Sequence, residues 1–311
     1  MTVLRPLRLG TRASALARWQ ADWVAGELRA RGHEVTLVLL STRGDQVRSA
    51  PLGAIGGEGL FTKELQRALL ADEIDLAVHS LKDLPTEAVE GLCLGAVPAR
   101  APSADVLVSR RAQSLAEVPQ GATVGTGSLR RRAQLRHVRP DLQLVDVRGN
   151  VDTRLRKLDE GQYDALVLAQ AGLTRLGLAQ QITQILPNEV MLPAVGQGAL
   201  GIEVRSADAE LLQALLPLDH ADTRAAVTAE RALLAALRAG CLAPVGAKGE
   251  VVYGRLQLRG VVLSGDGTRR LFSQIDGLPP NAIELGRQLA EELLSQGAAK
   301  LIADARHSPP G

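Results

Sequence analysis

Short apolar runs alternate with longer amphipathic segments along the first two thirds of this chain, and that rhythm narrows the possible folds most. Residues 7–10, 35–40 and 76–79 read as strands. Residues 14–31 and 61–71 read as helices, the first because Ala15, Leu16, Trp19, Trp23, Ala25 and Leu28 recur at roughly helical spacing. Strand–helix–strand order of this kind predicts an α/β fold with a largely parallel sheet. The rhythm restarts after 98–103, a stretch rich in Pro, Ala and Ser. Strands are expected at 106–109, 123–125, 142–147 and 165–169, with helices at 128–138 and 151–160 between them. A second α/β lobe is the economical reading.

Residues 192–198 (Leu-Pro-Ala-Val-Gly-Gln-Gly) form another connection, and a single strand at 199–204 follows it. One strand after a connector implies that the chain returns to the first lobe. Residues 221–239 carry neither Gly nor Pro and read as a helix closed by Gly240. Strands at 245–253, 256–263 and 270–275, a Gly-Asp-Gly turn at 265–267 and a helix at 283–295 then make a small α+β domain.

A chain of 311 residues exceeds what one core usually serves. Two cysteines give no disulfide framework, and the five histidines (33, 79, 137, 220, 307) show no ligand spacing, so no metal is expected. Arg5 and Arg8 interrupt any leader-like apolar stretch, and no uncharged apolar run approaches the ~18 residues of a membrane span. A cytoplasmic monomer is the default expectation. The net charge is +2 and aromatic residues are 2% of the chain, which argues against nucleic-acid binding on stacked platforms.

Three strand-to-helix turns carry arginine beside hydroxyl or amide groups: Thr11-Arg12-Ala13-Ser14, Gly125-Thr-Gly-Ser128-Leu-Arg130-Arg131 and Arg148-Gly-Asn150-Val-Asp-Thr-Arg154. Helix N-termini attract anions, and guanidinium forks match carboxylates. Arg130 and Arg131 oppose the helix dipole in the first turn, so an anionic partner is the simpler explanation, with a solvated basic face or a nucleic-acid patch as the alternatives. The recurrence points to a polyanionic small molecule. His79-Ser-Leu-Lys82-Asp83-Leu-Pro85 follows a strand, where α/β sheets bind ligands, although a turn-capping aspartate is the plainer reading. The glycine-rich segment 43–60 reads as a lid or an ordinary surface loop. Cys93 reads as a small core residue. Cys241, held between Gly240 and Pro244 after the long helix, gains no dipole help in ionising and suits permanent alkylation better than fast nucleophilic attack.

These motifs, in order along nearly the whole chain, resemble the porphobilinogen deaminase (hydroxymethylbilane synthase) family. The resemblance implies two lobes like type-II periplasmic binding proteins plus a small α+β C-terminal domain. The implied bounds are 1–98 with 199–217, 104–193 and 221–311. It implies a dipyrromethane cofactor joined by a thioether to Cys241. It implies condensation of four porphobilinogen units with loss of ammonia, giving a linear tetrapyrrole for heme biosynthesis. By position, Asp83 matches the catalytic aspartate. Lys82, Ser128, Arg130 and Arg131 match cofactor positions; Arg12, Ser14, Arg148, Arg154, Gln197 and Phe61 match substrate or hinge positions. Two departures stand out: Gly127 replaces a serine common in the family, and Ala54 and Glu58 replace lysines frequent in the lid. The rival class is a non-catalytic two-lobed binding protein for a polycarboxylate.

Overall fold

The computed structural model describes residues 5–40, 62–240 and 243–307. Phe61, Cys241 and the 43–60 segment, with Ala54 and Glu58, lie outside the described residues. The chain divides into two compact units, Met1–Arg100 with Ala199–Arg224, and Ala101–Gly198 with Ala225–Gly311.

The first unit contains β1 (Leu7–Arg12), α1 (Ala15–Arg29), β2 (Val35–Leu40), α2 (Lys63–Leu70), β3 (Leu76–Ser80), β4 (Leu92–Ala96), the returning strand β10 (Leu200–Arg205) and α6 (Ala209–Leu215). Their sheet runs β2-β1-β3-β10-β4. β1 lies parallel to β2 and β3, whereas β10 runs antiparallel to both β3 and β4. Four of the five strands therefore run the same way, the largely parallel sheet that the rhythm predicts, and β10 alone is reversed. The reason is the return: β10 enters from the 192–198 connection and runs against its neighbours. Leu9, Val24, Leu28, Leu76 and Ile202 form the centre of the core, each 0% exposed. Trimming one of these leucines to alanine would cost about 2–5 kcal/mol. β4 escaped the sequence reading because Gly91 and Gly95 interrupt its apolar run. Gly95 is required by packing: a Cβ there would stand 2.8 Å from Leu215 Cδ1 on α6. Cys93, on β4, is half-buried against this core, and burial pushes its thiol pKa up.

At the other end of the first sheet, Asp75 is clamped by arginines. Its Oδ2 accepts from Arg8 Nε at 3.0 Å and its Oδ1 from Arg205 Nη2 at 3.1 Å. Burial opposes the charged form, but these bonds win and hold the carboxyl at about 2.

The second unit begins with β5 (Asp105–Ser109), β6 (Thr123–Gly125), α3 (Leu129–Val138), β7 (Gln143–Val145), α4 (Val151–Asp159), β8 (Ala165–Ala169), α5 (Gln170–Arg175) and β9 (Gln184–Ile185). Its sheet order, β7-β6-β8-β5-β9, again carries an antiparallel fourth strand. After α7 (Ala221–Ala236), whose first turn belongs to the first unit, come β11 (Val245–Val252), β12 (Arg255–Leu263), β13 (Arg270–Gly277), α8 (Ala282–Ser295) and α9 (Ala298–His307). The three strands form an antiparallel meander whose core includes Leu233, Leu258, Leu289 and Leu293. α7 stops at Ala236, short of the expected 239, because Arg238 turns left-handed at φ 50°. The β12–β13 turn docks on α3. Arg136 Nη1 donates to Gly265 O at 2.7 Å, and Gly267, at φ 76°, leaves no room for a Cβ beside His137 N. Two α/β lobes with a small α+β domain match the expected fold class.

Candidate functional site

In the first unit, strand ends deliver the expected residues to one pocket. β1 ends at Arg12, and Ser14 caps α1 by accepting from Ala17 N at 3.3 Å. β3 leads into a single 3-10 turn, Leu81–Asp83. Leu81 is 1% exposed, and its N–H donates to Ala199 O at 3.0 Å, so the turn is pinned from below. Asp83 consequently emerges into solvent at the pocket, with Lys82 half-buried beside it in the turn. Arg12, Ser14, Gln20, His79, Ser80 and Asp83 all line that pocket. A carboxylate and a guanidinium thus face one cavity, able to hold a cationic centre and an anionic substituent of the same small molecule. Gln20 and His79 were not assigned to a site from sequence. The available signal was a polar residue on the buried face of α1, 2% exposed, and the histidine opening the quoted motif.

In the second unit, Ser128 caps α3, accepting from Arg131 N at 3.5 Å. Arg130 and Arg131 both turn inward onto Asp105. Arg130 Nη1 lies 2.6 Å from Asp105 Oδ2, and Arg131 Nε lies 2.9 Å from Oδ1. Gln197 Nε2 donates to the same Oδ1 at 3.0 Å and to Ser103 O at 2.8 Å. This corrects the inference drawn from the helix dipole: the first anion offsetting these arginines is the protein's own. Burial disfavours the Asp105 carboxylate, yet Arg130 and Arg131 hold its pKa far below the usual range. Burial also pulls the Arg130 pKa down against Asp105, without discharging it. Two guanidiniums against one carboxylate leave an excess of positive charge. Arg130 Nε is buried with no hydrogen-bond partner among the described residues.

The third arginine turn is more open. Arg148 Nε donates to Asp146 Oδ2 at 3.0 Å, and Arg154 Nε to Gly149 O at 2.8 Å. Asn150 caps α4 by accepting from Thr153 N at 3.1 Å. A Cβ at Gly127 would meet Asp146 Oδ1 at 2.7 Å, so a serine there would displace that carboxylate. Arg175, at the end of α5, was passed over in the sequence. Its Nη2 donates to Gly198 O at 2.7 Å, and burial lowers its pKa to about 10, leaving it charged at neutral pH.

The site residues therefore gather as Arg12, Ser14, Lys82 and Asp83 in one unit and Ser128, Arg130, Arg131, Arg148, Arg154 and Gln197 in the other. Phe61 and Cys241 fall outside the described residues. Among the described residues, no helix is long and apolar enough to cross a membrane.

The family model described as "Porphobilinogen deaminase, dipyromethane cofactor binding domain" matches residues 7–213, and "Porphobilinogen deaminase, C-terminal domain" matches 224–295. The porphobilinogen deaminase of Desulforudis audaxviator is 55% identical over 304 residues, covering 97% of this chain and 98% of that protein. That of Pelotomaculum thermopropionicum is 52% identical over 304 residues, with 97% of each covered. That of Geobacter metallireducens is 50% identical over 302 residues, covering 96% of this chain and 95% of that protein. Among solved structures, the methionine binding protein MetQ is similar over 68% of this chain and 89% of its own, at TM-score 0.45 and 15% identity. Matched by both models and over nearly its whole length, this chain belongs to the porphobilinogen deaminase family.

Proposed function

We propose that this chain condenses four porphobilinogen units, releasing ammonia from each, to yield the linear tetrapyrrole of porphyrin and heme biosynthesis. Asp83 facing the same pocket as Arg12 and Ser14 is the observation that carries the reading. The three domains are 1–98 with 199–217, 104–193 and 221–311, and the enzyme works as a cytoplasmic monomer without nucleic-acid or membrane partners.

The donor set suits a dipyrromethane. Its acetate and propionate side chains require cations, and Arg130 and Arg131 supply more positive charge than Asp105 neutralises. The buried Arg130 Nε is a donor still available for an acceptor. Cys241 would hold the group through a thioether, and Lys82, Asp83, Ser128, Arg130 and Arg131 are its proposed binding residues. When bound, it supplies the pyrrole carbon to which incoming units are joined.

The chain's own residues then divide the labour. Arg12, Ser14, Arg148 and Arg154 bind substrate carboxylates, with Gln197 and Phe61 at supporting positions. Loss of ammonia from porphobilinogen breaks a C–N bond and leaves a cationic methylene-pyrrole. The Asp83 carboxylate, fixed by the turn beneath it, stabilises that charge. It also accepts the pyrrole N–H and assists proton transfer.

Intact mass tests the reading. The purified chain should carry an adduct of two pyrrole units that is missing from Cys241→Ala. An unmodified wild-type chain from a host making tetrapyrroles would refute it and favour a non-catalytic binding protein.

A further inference from the structure

Beneath the pocket lies a polar chain that the chemistry above does not use. His79, near the end of β3, lines the pocket, yet its side chain is 3% exposed. Its Nε2 stands 3.0 Å from Glu203 Oε2 on β10, and Gln66 Nε2 on α2 donates to Glu203 Oε1 at 3.0 Å. A carboxylate only accepts, so His79 Nε2 carries the proton of that bond. Strand register brings the pair together: His79 sits opposite Gly201, and Glu203 follows two residues on, pointing to the same face. Three elements thus meet under one pocket wall.

Stability is a poor reason for this arrangement. Buried polar and ionic groups rarely outperform apolar filling of the same volume. Location is the better reason. The neighbour of His79, Ser80, accepts from Gln20 Nε2 at 2.8 Å, and the turn bearing Asp83 starts one residue later. Whatever fixes the end of β3 fixes the Asp83 carboxylate.

We propose that His79 is a positioning residue: held by Glu203, which Gln66 holds in turn, it locks the end of β3 and so the place of Asp83 in the pocket. The inference rests on the role assigned to Asp83 above.

The test uses cofactor-loaded enzyme with porphobilinogen as substrate. His79→Leu should lower kcat by about tenfold or more with KM little changed, since small displacements of a reacting group are costly. His79→Gln keeps a donor near the Nε2 position and should recover most of the lost rate. His79→Leu strands a buried carboxylate and could fold poorly, so His79→Leu/Glu203→Leu/Gln66→Leu is the second arm. Removing all three members of the network leaves none of them stranded, and the triple variant should melt near the wild type and still be slow. A rate near wild type in either leucine variant, or a slow His79→Gln, would overturn the proposal. Wild-type chain lacking both adduct and turnover would instead sink the proposed function, so the two failures are distinguishable.

Discussion

Asp105 and Arg130 form a fully buried ion pair, Oδ2 to Nη1 at 2.6 Å, and Arg131 shares the same carboxylate. Asp105→Asn would leave two buried guanidiniums without their anion. Breaking such a pair costs about 3–5 kcal/mol, so the melting temperature should fall clearly in calorimetry. An unaltered melting temperature would show that the pair does not secure α3 to β5.

Asp83 is exposed and its turn is held by Leu81, so changing its charge should spare the fold. Asp83→Asn should keep the wild-type circular dichroism spectrum and slow ammonia release from porphobilinogen by about 100-fold or more. Turnover near the wild-type rate would remove Asp83 from the chemistry.

Arg148 pairs with Asp146 near the surface, with side chains 29% and 42% exposed, and such pairs contribute at most about 1 kcal/mol. Arg148→Leu should therefore leave the melting temperature nearly unchanged while stalling cofactor assembly or early elongation, visible as truncated adducts by intact mass. A normal adduct ladder and product yield would relieve Arg148 of its substrate role.

The Asp75 carboxyl is held at about 2, below its ordinary 3.8. A depressed carboxyl contributes stability that is fully present above its unfolded pKa and is lost as pH falls through the folded value. Asp75→Asn should lower the urea midpoint at pH 7 and flatten the loss of stability between about pH 4 and pH 2. Parallel curves for wild type and variant across that window would contradict the clamp by Arg8 and Arg205.

Gly267→Ala places a Cβ 2.7 Å from both Arg136 Cβ and His137 N, at a backbone φ of 76°. Backbone strain of this kind costs about 1–3 kcal/mol. Hydrogen exchange should quicken in the β12–β13 turn and at the end of α3 together; quickening in the turn alone would mean that the two are not coupled.

Local chemistry made much of the fold legible. Ser14, Ser128 and Asn150 sit where a side-chain oxygen can cap the next helix, and all three do so. The reversal of β10 was not legible, because it depends on where a distant connection re-enters the sheet. The arginine turns could be read as cationic from neighbouring residues alone. Their inward pairing could not, since Asp105 lies 25 residues before Arg130 and gives no local sign of facing it. Likewise, α6 is seven residues long, too short for its apolar period to stand out. Asp83 was legible because a strand, a turn and Leu84-Pro85 follow in sequence; His79 was not, because its partner arrives on β10.

The order in which β10 arrives has a consequence for synthesis. Between β4 and β10 in the chain lie all the strands of the second lobe, yet β10 separates β3 from β4 in space. On the ribosome, at about 5–20 residues per second, the first sheet waits several seconds or more for its inner strand. During that interval β3 and β4 offer open edges, and the second lobe can close before the first. Until residue 200 is made, the N-terminal third of the chain keeps unpaired strand edges, which favour aggregation of a chain stalled before it.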